Sequence, residues 1–214
     1  MSYKTDEHKT LFLKSLFEET YIKDIKERYN IRKDDDLEEL INTLASGIGA
    51  LTNPNKLSNT FKSEKKSVVS YDTIKDYIEY LCDSFLVEKS TRYDVKGKKY
   101  INSPNKYYFM DLGLRNARLN FRQNEKTHLM ENLIYNELRI RGYNVDVGSV
   151  EIREGDSKKQ LEIDFVANKG SKKYYVQSAL TVAEEEKREQ EIHSLTRVGD
   201  SFKKIVVVKD SILP

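Results

Sequence analysis

Glu131 in the stretch HLMENLIYNELRIRG, Asp164 in LEIDFVA and Gln177 in YYVQSAL are the residues whose types and order best suit chemistry. The first stretch has helical spacing and the other two alternate as strands do. Alternation puts Glu162 and Asp164 on one face of their strand, and Gln177 and Ala179 on one face of theirs. If the NKGSKK link closes a hairpin with Ala167 opposite Tyr174, Asp164 falls opposite Gln177. A metal-dependent nuclease core needs this geometry: carboxylates converge on Mg²⁺ at a sheet edge, and a lysine two residues past the third ligand steadies the attacking water. Gln177 is neutral, so Glu131 and Asp164 alone would carry the ion, and magnesium is weakly held by so few charges. The expectation is a degenerate, inactive site with no cofactor beyond weak magnesium. In it Glu131 and Asp164 are hydrogen-bonding remnants of a fold. Residual metal binding and nuclease turnover are the competing expectations. Glu137 is the other acid on that helix, although it falls amid the apolar stripe.

The elements that must position these residues follow from periodicity. Residues 8–30 place Leu11, Leu13, Leu16, Phe17, Tyr21, Ile22 and Ile25 on a broad helical stripe that reads as a connector. Asp36 with Glu39 gives a capping-box signature for a second helix, ended by Gly47, Gly49 and Pro54. A short helix over Asn55–Lys62, a polar link at 63–69 and a helix in SYDTIKDYIEYLCDSFLV come next. Residues 86–110 are β-rich with a tight KGKK turn, and helices followed by a basic hairpin is the order of a winged helix-turn-helix. After DLGLRN a polar link reaches a long helix, Lys126–Arg141, then three strands, a charged helix and a last strand, KKIVVV. The fold expected is α+β: a connector helix and winged helix over 1–120, then a nuclease-like α/β part over 121–214.

The hairpin carries a local charge. Lys89, Arg92, Lys96, Lys98, Lys99 and Lys106 stand against Asp94, six cations to one carboxylate, net +5. Arg92, Lys96, Lys98 and Lys99 are the candidates for contact with nucleic-acid phosphates. The helix at the recognition position, 71–83, has Lys75 against Asp72, Asp76, Glu79 and Asp83, net −3. Acidic side chains are repelled by phosphate, so any DNA contact is expected to be nonspecific. Protein contact is the leading expectation for this segment.

ENLIYNEL, EIDFV and YYVQSA together resemble the PD-(D/E)xK nuclease-like superfamily, with Glu131, Asp164 and Gln177 at its first three acidic or amide positions. Ala179 stands where that pattern has lysine, and Lys173, Lys187 or Arg188 would be the replacements if the lysine has migrated. FEETYIKDIKERYNIR, SYDTIKDYIEYLCDSFLV, NKYYFMDLGLRNA and HLMENLIYNELRIRGY, in that order, resemble the C-terminal region of bacterial and archaeal AAA-type ATPases. The resemblance covers nearly the whole chain. It implies a winged helix plus a nuclease-like fold, beside a P-loop module in those proteins, and no known reaction.

Within these 214 residues there is no GxxxxGK[ST] motif, and Gly47 and Gly49 end a helix instead of following a strand. His8, His128 and His193 form no i,i+4 pair and lie far in sequence from the lone Cys82, so no metal ligand set is expected. No apolar run approaches the ~18 residues of a membrane span, and a cytoplasmic protein is expected. Net charge is +2, too small for a global field to attract polyanions. The expected partners are an ATPase module or another protein, with nonspecific DNA and further copies of the chain behind them.

Overall fold

The computed structural model describes residues 5–32, 34–65, 69–123, 125–155 and 157–209. The chain divides into two compact units, Met1–Lys89 with Tyr107–Asn124, and Ser90–Lys106 with Glu125–Pro214.

In the first unit, α1 (Asp6–Ser15), a π-helical segment (Leu16–Ile22) and α2 (Lys23–Arg28) follow without a break. Thr5 caps the start by accepting from the His8 amide. The apolar stripe explains the π segment. Phe17 and Ile22 are both buried although five positions apart, an offset of about 140° on an α-helix. The i→i+5 turn brings them to one side. Helix α3 (Asp34–Ser46) buries Leu37, Leu40, Ile41 and Leu44. It begins at Asp34, so Asp36 lies inside the first turn, largely buried, and does not cap the helix as expected. Helix α4 spans Pro54–Lys65, and residues 66–68 of the expected link lie outside the described residues. Helix α5 (Tyr71–Asp83) is capped by Ser70 and buries Ile74, Tyr77, Ile78 and Leu81. Cys82 lies on this helix, and burial pushes its thiol up to about 11.

Strands β1 (Val87–Asp94) and β2 (Lys99–Phe109) form the basic hairpin, and α6 (Leu112–Arg118) follows, capped by Asp111 accepting from Leu114 N at 2.9 Å. The DLGLRN stretch, to which the sequence reading gave no element, thus opens a short helix.

The second unit holds α7 (Lys126–Ile140), β3 (Asn144–Glu154), β4 (Ser157–Lys169), β5 (Lys172–Ala179), α8 (Glu185–Thr196) and β6 (Lys203–Val208). The six strands make one mixed sheet in the order β2-β1-β3-β4-β5-β6. The hairpin is therefore continuous with this sheet: β1 runs parallel to β3, with Arg92 opposite Val147 and Asp94 opposite Ser149. β4 and β5 are joined by a two-residue turn in which Gly170 takes a positive φ, a conformation that glycine adopts without strain. Ala167 lies opposite Tyr174, the register expected from sequence. One sheet face packs Val150, Ile152, Ile163, Val166 and Tyr175 against Leu195 of α8 and the nearby Val198. On the α7 side, Tyr135 meets Phe165 with ring centroids 6.3 Å apart. Among the described residues no helix is long and apolar enough to cross a membrane.

Candidate functional site

Glu131, Asp164 and Gln177 do converge, and the structure adds Lys106, Glu162, Ser178 and Glu191 to them. The register of β4 on β5 runs to Phe165 opposite Val176. One step further, the Gln177 amide meets Asp164 through its side chain. Gln177 Nε2 donates to Asp164 Oδ1 at 3.3 Å, and Asp164 N donates to Gln177 Oε1 at 3.3 Å. The other carboxylate oxygen accepts from Ser178 N at 2.7 Å and from Ser178 Oγ at 2.8 Å. Asp164 is buried, and its carboxylate is consumed by β5. Three hydrogen bonds to the carboxylate answer its burial.

Glu131 and Glu162 are held differently. Lys106, near the middle of β2, places Nζ 2.9 Å from Glu131 Oε1 on α7 and 2.6 Å from Glu162 Oε1 on β4. Lys106 is only 2% exposed, so it is not part of a solvated basic hairpin. The hairpin tally of sequence analysis therefore loses one cation. Burial pushes this ammonium's pKa down. The carboxylates of Glu131, Glu162 and Asp164 outweigh that effect and hold it above the ordinary lysine value. The lysine stays charged.

Glu191 of α8 completes the group. Burial, then the nearby Asp164 charge, raises its carboxyl above the ordinary range, while a hydrogen bond with Gln177 opposes the rise. The remaining candidates lie elsewhere. Ala179 is buried. Lys173 has its ammonium 5.3–5.5 Å from the rings of Tyr93, Tyr175 and Phe202. Lys187 and Arg188 pair with Glu184 and Glu185 on their own helix. Glu137 is exposed and pairs with Arg141 at 3.3 Å.

As arranged, these residues do not suit a divalent ion. Glu131 and Glu162 face an ammonium, and the Asp164 carboxylate accepts three backbone and side-chain hydrogen bonds. Among the described residues, no three His, Cys, Asp or Glu side chains are placed to hold a metal. The arrangement neutralises buried charge inside the unit.

On the hairpin, Arg92 donates to Gln160 Oε1 at 2.7 Å and Ser149 Oγ at 3.3 Å, and Lys96 donates to the Glu151 carbonyl at 2.8 Å. Lys98 and Lys99 are exposed at the turn. On α5, Asp72, Asp76, Glu79 and Asp83 are exposed.

Sequence reasoning missed Lys106 and Ser178. The available signal for Lys106 was its position at the head of the apolar run Tyr107–Phe109, where a solvated lysine is out of place. Ser178 follows Gln177 directly, and only the closing of β4 on β5 brings its hydroxyl under Asp164.

Residues 1–125 match the family described as a domain of unknown function, DUF8612. The chain belongs to this family. The matched region includes Lys106 and the hairpin but ends before Glu131. An uncharacterized protein of Haemophilus influenzae is 35% identical over 199 residues, covering 93% of this chain and 47% of the relative. The uncharacterized protein MJ1544 of Methanocaldococcus jannaschii is 29% identical over 154 residues, covering 72% of this chain and 33% of the relative. The chain thus spans less than half the length of these two relatives. No solved structure matches.

Proposed function

We propose that this chain is a non-catalytic interaction or regulatory module of an AAA-type ATPase. On this reading it is built as a winged helix followed by a PD-(D/E)xK nuclease-like unit, and a lysine fills the former catalytic cleft. The observation that carries the reading is Lys106. Its ammonium stands between Glu131 and Glu162, where a working site needs open carboxylates for a metal ion. Asp164, bonded to Ser178 and Gln177, offers no replacement. The order of helices, hairpin and mixed sheet agrees with the proposed architecture. A module role also accords with the chain covering 47% of the H. influenzae relative.

Incubation of the whole chain with single- and double-stranded DNA and Mg²⁺ or Mn²⁺ is expected to give no cleavage, and titration calorimetry no tight metal site. Reproducible cutting that disappears in Asp164→Asn would sink the proposal. In that event Lys106 would be the migrated lysine of an active site.

The exposure of Lys98 and Lys99 favours a second reading in which the hairpin touches nucleic acid through phosphates alone. Affinity for any duplex is then expected to fall steeply with salt, and replacing Lys96, Lys98 and Lys99 with alanine lowers it alike for unrelated sequences. A preference for one sequence that survives moderate salt contradicts it.

A further inference from the structure

The first unit contains a cleft of about 340 Å³ between the π segment, α3 and the end of α6. We propose that it binds a small molecule through an anionic group, a carboxylate or a phosphate. The proposal is independent of the nuclease-like site.

The lining supplies donors. Arg118 lies 5.7 Å from the Phe17 ring centroid and is fixed by Glu38 Oε2 at 2.5 Å, the Glu38 carbonyl at 3.1 Å and Asn42 Oδ1 at 2.7 Å. Its position is therefore set before any ligand arrives, which lowers the ordering cost of binding. Asn42 accepts from Arg118 through its oxygen, so its amide nitrogen is left to donate. Lys14 and Asn120 line the same cleft and form no hydrogen bond or ion pair through their side chains among the described residues. Asn120 sits at a positive φ just after α6, and its backbone N donates to Ala117 O, leaving the side chain unused.

Charge points the same way. Glu38 pairs with Arg118 and with Lys26, the latter at 2.9 Å, and Lys26 also meets Asp34 at 3.4 Å, so on the cleft lining itself Lys14 and Arg118 stand against the single carboxylate of Glu18. Glu18 reaches Arg118 only at 3.3 Å with its side chain 51% exposed, and can swing into solvent. Lys14 is answered by no carboxylate among the described residues. An anionic group entering here meets the Lys14 ammonium, two amide donors and the rim of a pre-positioned guanidinium. The π turn forms one wall by carrying Phe17 and Glu18, and π insertions recur where a helix serves a site.

Titrating the whole chain with inorganic phosphate and, separately, with succinate tests this, read by NMR shifts of the Asn42 and Asn120 side-chain amides against a chloride control. Saturable shifts with at least one probe are expected. They should weaken at least tenfold in Lys14→Met, return in Lys14→Arg, and remain in Lys23→Met, an exposed lysine farther along the same rod. Thermal melts confirm that each variant folds, and Lys14 has no partner to lose among the described residues. Response to phosphate alone assigns a phosphate ligand, and response to succinate alone a carboxylate. No saturable response to either, or the same affinity in Lys14→Met, overturns the proposal.

Discussion

Replacing Lys106 with methionine is expected to destabilise the chain by about 3 kcal/mol, because it removes the ammonium that Glu131 and Glu162 share. Removing one member of a buried ion pair costs more than the pair itself contributes, since the orphaned charge stays desolvated. Glu131 is almost fully buried, whereas the Glu162 side chain is 38% exposed, so water recovers part of the loss at Glu162. Urea denaturation followed by tyrosine fluorescence, in a chain with 14 Tyr and no Trp, measures it directly. The triple variant Lys106→Met, Glu131→Gln, Glu162→Gln removes all three charges and is expected to be more stable than the single one. A single variant as stable as the parent would mean that the lysine is not held between the two carboxylates.

The same group sets a pH dependence. Its folded pKa lies above the ordinary lysine value of 10.5. The linked stability is therefore fully present below that value and is lost only as pH rises beyond it through the higher folded value. Between about pH 6 and 9 this lysine contributes no slope, and the comparison with methionine is expected to give the same difference across that window.

The second large effect is expected at Gly148 on β3. A Cβ built there lies 2.8 Å from the Ile163 Cβ and 3.0 Å from Val166 Cγ2, and both neighbours are fully buried. Neither is the far end of a flexible side chain, so the sheet itself must shift. Gly148→Ala is expected to cost about 2 kcal/mol, and Gly148→Val more, as overpacking of a tight core does. Gly199→Ala is the control: a Cβ there meets nothing within 4 Å. If Gly148→Ala melts with the parent, the packing of β3 on β4 is looser than the distances imply.

Much of the second unit was legible because its signals are local. The β4–β5 register followed from one short turn and strict alternation, and it carried Asp164 to Gln177. The long periodic helices α5 and α7 were equally plain. Other features depend on contacts far apart in sequence. Nothing in NKYYF says which lysine will be folded under, because its partners lie 25 and 56 positions later, at Glu131 and Glu162. The parallel pairing of β1 with β3 is likewise nonlocal. It makes the expected basic wing part of a sheet, with two of its cations tied to β3 and β4. The π turn escaped notice because a stripe read at α spacing absorbs one extra residue without losing its apolar character. Helix α6 is only seven residues long with a glycine inside, too short for periodicity to register.

The chain path has a consequence for biosynthesis. Residues 90–106 belong to the second unit, 107–124 to the first, and the rest of the second unit follows from 125. The hairpin emerges from the ribosome before any strand that will pair with it, and Lys106 emerges before either carboxylate that will neutralise it. Until β3 arrives, β1 presents an open row of backbone donors and acceptors. Until β6 is made, at residues 203–208, β5 does the same on the other side. Vectorial folding can complete neither edge early. A stalled or C-terminally clipped chain would expose the outer edge of β5, still paired to β4 on its other side, a state suited to aggregation or to capture by a chaperone.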